Sequence, residues 1–247
     1  MQKSHLFTTL FIALSIALIA FAKPTNNTAA SAAINMIAAD SNIAAAPDKA
    51  DLSASLYESL NLSQKGLSKE ALDAAIKGYE KLKSNGAVGN SKYLTVIDFS
   101  QSSRKKRFYI IDVANKKVLL NTYVAHGKNT GVDMATRFSN IPESLQSSLG
   151  FYLTKGTYHG KHGLSLRLKG QEEGFNNNAM SRGIVVHGAA YVNAGRVNSA
   201  FMGRSQGCPA LPEAEYATAI NYIKDGSVMF IYHPSQQYAQ QSPILNS

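Results

Sequence analysis

The chain has 247 residues, 45% hydrophobic and 17% charged, with 18 Gly, 7 Pro and a formal net charge of +9. This is the composition of a globular chain of one or two domains and excludes collagen-like, wholly disordered and heptad-dominated architectures. The single long apolar run, at the N-terminus, excludes a multi-spanning membrane protein, and a lone cysteine excludes an internal disulfide framework or a CxxC pair.

Residues 1–22 read as a signal peptide. Lys3 supplies the positive start, Leu6 to Phe21 the apolar core and Ala20-Phe21-Ala22 the small-x-small cleavage site. The apolar core falls short of the roughly 20 residues a spanning helix needs. The mature protein is therefore expected to be exported to the periplasm or cell envelope, with no stable membrane insertion. Cleavage removes Lys3 and no acid, taking the charge from +9 to +8. An exported basic protein fits an anionic envelope and not nucleic acid. Arg104-Lys105-Lys106-Arg107 reads as a solvated turn and is given no role.

Residues 23–50, rich in Ala, Asn, Ser and Thr, read as a flexible linker. A helical segment over 51–86 follows. Leu52, Leu56 and Leu60 recur at four-residue spacing before Gly66. Ser68 then caps a second helix, Leu67 and Leu72 are spaced for a hydrophobic staple, and Leu72, Ile76, Tyr79 and Leu82 form one stripe before Gly86.

From about residue 92 the pattern changes to short strands, at Tyr93–Phe99, Phe108–Val113, Val118–Ala125, Phe151–Thr154, Leu164–Leu168, Gly183–His187 and Ser227–Tyr232. Leu164, Leu166 and Leu168 alternate with polar residues, as in a sheet with one wet face. A helix is predicted over Pro212–Lys224, and the Gln/Ser-rich tail over 235–247 is expected to be loose. The fold expected for 92–234 is mostly β with peripheral helices.

The stretch Ser205-Gln206-Gly207-Cys208 carries the chemistry. A free thiol is only slightly ionised at neutral pH and needs activation. If the predicted helix at Pro212 presents its N-terminus to Cys208, a stabilised thiolate is expected, with the N–H groups of Gly207 and Cys208 as oxyanion donors and Ser205, Gln206 and Arg204 beside them as substrate-binding residues. His187, ending an apolar strand at Gly188, is the natural base.

His187-Gly188 followed by Ser205-Gln206-Gly207-Cys208 resembles the YkuD-type L,D-transpeptidase signature, in which HG precedes [S/T]-H-G-C. The likeness extends over roughly residues 92–233, and the Phe-Tyr-Ile-Ile-Asp-Val strand with Val124-Ala125-His126-Gly127 is similar to the murein L,D-transpeptidase catalytic-domain branch. The resemblance implies a β-rich catalytic domain acting on peptidoglycan stem peptides without metal or cofactor. Cys208 would attack the third-residue carbonyl and form a thioester, which an amine resolves to a cross-link or water to a trimmed stem. His187 would relay the proton, with its ring oriented by the Gly188 carbonyl. The sequence departs from the signature at Gln206, which cannot exchange a proton, and at Ala210, where Asn or Arg is usual. Arg204 is the residue expected to replace the missing charge.

Three other readings are weighed. Gly203-Arg204-Ser205-Gln206-Gly207 matches G-x-S-x-G, followed by Asp225 and His233 in the order of a serine hydrolase, but no buried strand precedes it. His159 and His162 form H-x-x-H in a Gly-rich turn with no accompanying carboxylate, which argues against a metal site. A non-catalytic wall-binding protein on the same fold is the third.

Overall fold

The computed structural model describes residues 49–246. The expected signal peptide and nearly all of the expected linker lie outside them. Helix α1 (Lys49–Ser59) is followed by α2 (Lys69–Ser84). The strands are β1 (Tyr93–Asp98), β2 (Phe108–Asp112), β3 (Lys117–Thr122), β4 (His126–Gly127), β5 (Gly150–Gly160), β6 (Gly163–Gly170), β7 (Val185–Gly188), β8 (Arg204–Ser205), β9 (Ala210–Leu211) and β10 (Val228–Tyr232). Helix α3 (Tyr216–Ile223) precedes β10, and α4 (Gln236–Gln241) follows it. None of the described helices is long and apolar enough to cross a membrane.

Eight strands form one sheet in the order β3-β2-β1-β10-β5-β6-β7-β9, and β4 and β8 form a separate two-stranded ladder. The pairs β1–β10 and β7–β9 are parallel, while the other neighbours in the large sheet are antiparallel. The domain is mostly β with peripheral helices, as the strand-rich pattern implies.

Helix α1 stops earlier than Gly66. Asn61 takes a left-handed φ of 49°, and the N–H groups of Asn61 and Leu62 return to the carbonyls of Glu58 and Tyr57. These two bonds close the helix as a Schellman motif with Asn61 in the glycine role. Helix α2 begins where its cap predicts: the Ser68 hydroxyl accepts the Ala71 N–H at 3.3 Å. It ends in the same motif, with Gly86 at φ 69°. Leu72, Ile76, Tyr79 and Leu82 are all buried in the core that the sheet also lines. The helices are thus part of the catalytic domain's own core and not an appendage to it.

Contact between α2 and the sheet is closest at Gly78. A Cβ there would stand 2.0 Å from Cζ of Phe151 on β5, whose ring is stacked 4.2 Å from Phe230 on β10. Alanine would gain about 1 kcal/mol of helix propensity, but the pinned ring makes overpacking, about 1–3 kcal/mol, the larger effect. Gly78→Ala is expected to lower stability by roughly 1–2 kcal/mol in urea unfolding, the reverse of the usual glycine-to-alanine gain in a helix.

Three expectations fail. Arg107, read as part of a solvated turn, is fully buried, and its guanidinium donates to the Val124 carbonyl and to His126 Nδ1. The tail is docked and not loose. Ser235 caps α4, Tyr238 is buried, and its hydroxyl donates to Glu172 at 2.8 Å. Ser242 also donates to this carboxylate, and the Phe151 N–H donates at 2.7 Å. Burial pushes the Glu172 pKa up, and these three donors oppose the shift. Helix α3 starts at Tyr216 and not at Pro212. The Pro212 carbonyl accepts from both Glu215 and Tyr216, making a separate turn, and the Glu215 carboxylate is drawn off to the Thr122 hydroxyl.

Candidate active site

The site lies at the β7–β9 edge of the sheet. His187 on β7 pairs with Ser165 of β6 on one side and Ala210 of β9 on the other. Cys208 comes two residues before Ala210, so the parallel register sets it beside Val185, whose N–H donates to Cys208 Sγ at 3.5 Å. Cys208 and His187 line one cavity of about 590 Å³, walled also by Arg182, Tyr158, His162 and Arg204. The strand pairing therefore brings together a thiol and an imidazole 21 positions apart in the chain.

His187 is held at one ring nitrogen. Its Nδ1 lies 2.8 Å from the Gly188 carbonyl, which only accepts, so the neutral ring carries its proton on Nδ1 and its lone pair on Nε2. Burial lowers its pKa below the ordinary imidazole value, the Gly188 carbonyl opposes that shift, and His162 adds to it. A ring that resists protonation is a base already in its working form at neutral pH.

Cys208 does not have the electrostatics its sequence position suggests. Helix α3 begins eight residues later, with β9 in between, so no helix N-terminus reaches the sulfur. Burial pushes the thiol pKa up. The Val185 N–H and the charge of Arg182 pull it back only in part. The free protein therefore carries a neutral thiol, which donates to the Gly183 carbonyl at 3.7 Å, in one cavity with a neutral imidazole, and proton transfer must accompany any attack by the sulfur.

The loop before Cys208 is built by its own side chains. Ser205 Oγ donates to the Cys208 carbonyl at 2.6 Å and accepts the Gly207 N–H at 3.0 Å. This removes two expected roles: the Gly207 N–H is spent inside the loop and is no oxyanion donor, and the Ser205 hydroxyl is structural. Asp225 is exposed beyond α3, His233 packs at a tilt against Phe138, and Ser205 Oγ bonds neither of them, so the serine-hydrolase reading is overturned. Among the described residues the Cys208 N–H makes no hydrogen bond and remains as a donor. Gly207 is required for a different reason. Its φ is 125°, and a Cβ would stand 2.8 Å from the Gln146 carbonyl. Gln206 is exposed on the cavity wall.

Below the loop, β8 pairs with β4. His126 donates from Nε2 to the Gly131 carbonyl at 3.2 Å, and its Nδ1 accepts from the fully buried Arg107 at 2.8 Å. Burial, then the Arg107 charge, pushes His126 down to about 4, so it stays neutral beneath the site.

Two wall residues, Arg182 and His162, have no place in the Cys208–His187 signature, and the sequence marks His162 only as half of an H-x-x-H turn. Arg182 donates to the carbonyls of Ser139 and Gln146 and the hydroxyls of Ser144 and Ser148, and it is the cation that acts on the thiol. Arg204, expected to supply that charge, lies instead over the Phe201 ring at 4.6 Å and donates to the Lys128 carbonyl. His162 stacks on His187 with ring centroids 4.4 Å apart. Arg182 sits before β7 and His162 on a hairpin tip, so only the folded arrangement brings them to the cysteine. Among the described residues no group of three or more His, Cys, Asp or Glu is placed to hold a metal.

A mostly β domain with a cysteine and a histidine lining one cavity at a sheet edge presents a candidate active site. Comparison with protein families matches residues 63–232 to the L,D-transpeptidase catalytic domain, and the chain belongs to that family. The matched region includes both His187 and Cys208. Comparison with curated proteins gives no match. Among solved structures, the chain is 14% identical to an L,D-transpeptidase from Mycobacterium smegmatis, covering 57% of this chain and 59% of that one with a TM-score of 0.37. L,D-transpeptidase 1 from Mycobacterium tuberculosis is 13% identical over 57% and 62% of the two chains, TM-score 0.34. The L,D-transpeptidase from Xylanimonas cellulosilytica is 16% identical over 57% and 60%, TM-score 0.31. The chain thus spans about three fifths of the length of these proteins.

Proposed function

We propose that this protein is an exported cysteine acyltransferase of the periplasm or cell envelope, acting on peptidoglycan stem peptides by L,D-transpeptidation. The observation that carries the reading is the shared cavity of Cys208 and His187, with His187 Nδ1 tied to the Gly188 carbonyl so that Nε2 keeps its lone pair. His187 Nε2 takes the thiol proton as Sγ attacks the carbonyl of the third stem residue. The Cys208 N–H and the Arg182 charge favour the oxyanion. Collapse expels the terminal residue as an amine, which receives the proton from His187 and leaves a thioester on Cys208. An amine from a neighbouring stem then attacks and forms the cross-link, with the thiol as leaving group. Water in place of that amine gives L,D-carboxypeptidase activity from the same intermediate.

A carbapenem tests the thiol directly, because its strained carbonyl acylates a nucleophile without need of a stem peptide. The mature protein is expected to gain the mass of one carbapenem, and Cys208→Ala to gain none. Isolated sacculi treated with the wild type are expected to show new or trimmed muropeptides by mass spectrometry. Absence of both the adduct and any muropeptide change would instead identify a wall-binding protein on this fold.

A further inference from the structure

His162 stands exposed on the turn between β5 and β6, yet its ring is packed 4.4 Å from that of His187 and 25° from parallel. The thiol chemistry set out above uses one imidazole, so the second needs its own account. Three things fix His187. Strand β7 sets its Cα, the Gly188 carbonyl holds Nδ1 at 2.8 Å, and the His162 ring covers one face. The hydrogen bond alone leaves the ring free to rock about the Nδ1–oxygen line, a motion that moves Nε2 within the cavity it shares with the thiol. A flat surface against the ring face blocks that motion.

We infer that His162 is a positioning residue for acyl transfer: its ring holds the His187 imidazole in its working plane. A second effect is electrostatic. On the same hairpin are Lys161 and Tyr158. From α3, Tyr216 packs its ring on Gly188 and its hydroxyl near Gly163. Across the cavity are Lys128, Arg182, Arg204, Tyr191, Cys208 and the lone carboxylate of its wall, Glu143. Of these groups, His162 is the one in face contact with His187, and its charge lowers the His187 pKa.

The inference rests on the cysteine acyl-transfer reading, so one arm of its test needs no peptidoglycan. Iodoacetamide alkylation of Cys208, followed by intact mass across pH, is compared for the full-length wild type, His162→Ala and His162→Phe. Phenylalanine keeps a flat ring but cannot titrate. At neutral pH, His162→Ala is expected to react about tenfold more slowly and His162→Phe within about twofold of wild type. Both variants lose a group that disfavours the imidazolium, so their acid limbs are expected at higher pH than that of the wild type. With a stem peptide, His162→Ala is expected to lower kcat about tenfold with KM within twofold, and His162→Phe to restore kcat but not the acid limb. Unchanged kcat and unchanged limb in His162→Ala, or failure of Phe to restore kcat, overturns the inference. If alkylation follows this pattern but the wild type cleaves no stem peptide, the role of His162 stands and the peptidoglycan reading falls.

Discussion

Replacing His187 by Ala is expected to lower acylation of Cys208 about 1,000-fold at neutral pH and to change the shape of its pH dependence. The reason lies in the opposite shifts of the pair: burial raises the thiol above its ordinary value of 9.0 and lowers the imidazole below 6.5. The base form of His187 is present above its lowered pKa and is lost as pH falls through it, so the wild-type acid limb lies below 6.5. Between the two values the wild type is expected to run flat, because the imidazole accepts the proton during attack. The variant has only the equilibrium thiolate, whose fraction grows about tenfold per pH unit until the raised thiol pKa is reached. A plot of log acylation rate with carbapenem against pH is therefore expected to have a slope near one for His187→Ala and near zero for wild type. A variant that stays flat across the same range would show that another base serves the thiol.

The sequence announces the two side chains proposed to react but not the field around them. Cys208 and His187 stand out through a signature of local residues, and the strand holding His187 reads as a β-branched run. The expectation of a stabilised thiolate fails at one boundary: with α3 starting at Tyr216 instead of Pro212, the dipole is too far along the chain to act on the sulfur. The paired strands of two residues, β4, β8 and β9, have no period to detect, yet they hold the loop in place. Hairpin β5–β6 runs on to Gly160 and from Gly163, where Gly, His and Lys hide the alternation, and so it delivers His162 unannounced. The tail misleads because polar composition says nothing of Tyr238 and Ser242 closing over a buried Glu172. In each case the determining contact is between residues far apart in the chain.

Arg182 couples stability to reactivity, and Arg182→Gln is expected to damage both. Its guanidinium makes four hydrogen bonds of 2.6–3.2 Å into residues 139–148 and has no carboxylate partner among the described residues. The Gln146 carbonyl, to which it donates at 2.6 Å, is also the group packed against Gly207. Burial lowers the Arg182 pKa, and the Cys208 thiolate is among the charges that raise it. The counter-charge thus develops only as the sulfur ionises and the oxyanion forms, so the arginine favours the transition state over the resting enzyme. Loss of the fork leaves several half-buried acceptors unpaired, which is expected to cost on the order of 2–4 kcal/mol in urea unfolding. Loss of the charge is expected to slow acylation by about 100-fold beyond any change in fold. Arg182→Lys separates the two effects, because lysine keeps the charge but cannot span four acceptors. It is expected to recover most of the acylation rate at low temperature while remaining closer to Arg182→Gln in stability. Equal loss of rate in the two variants would assign Arg182 to loop architecture alone.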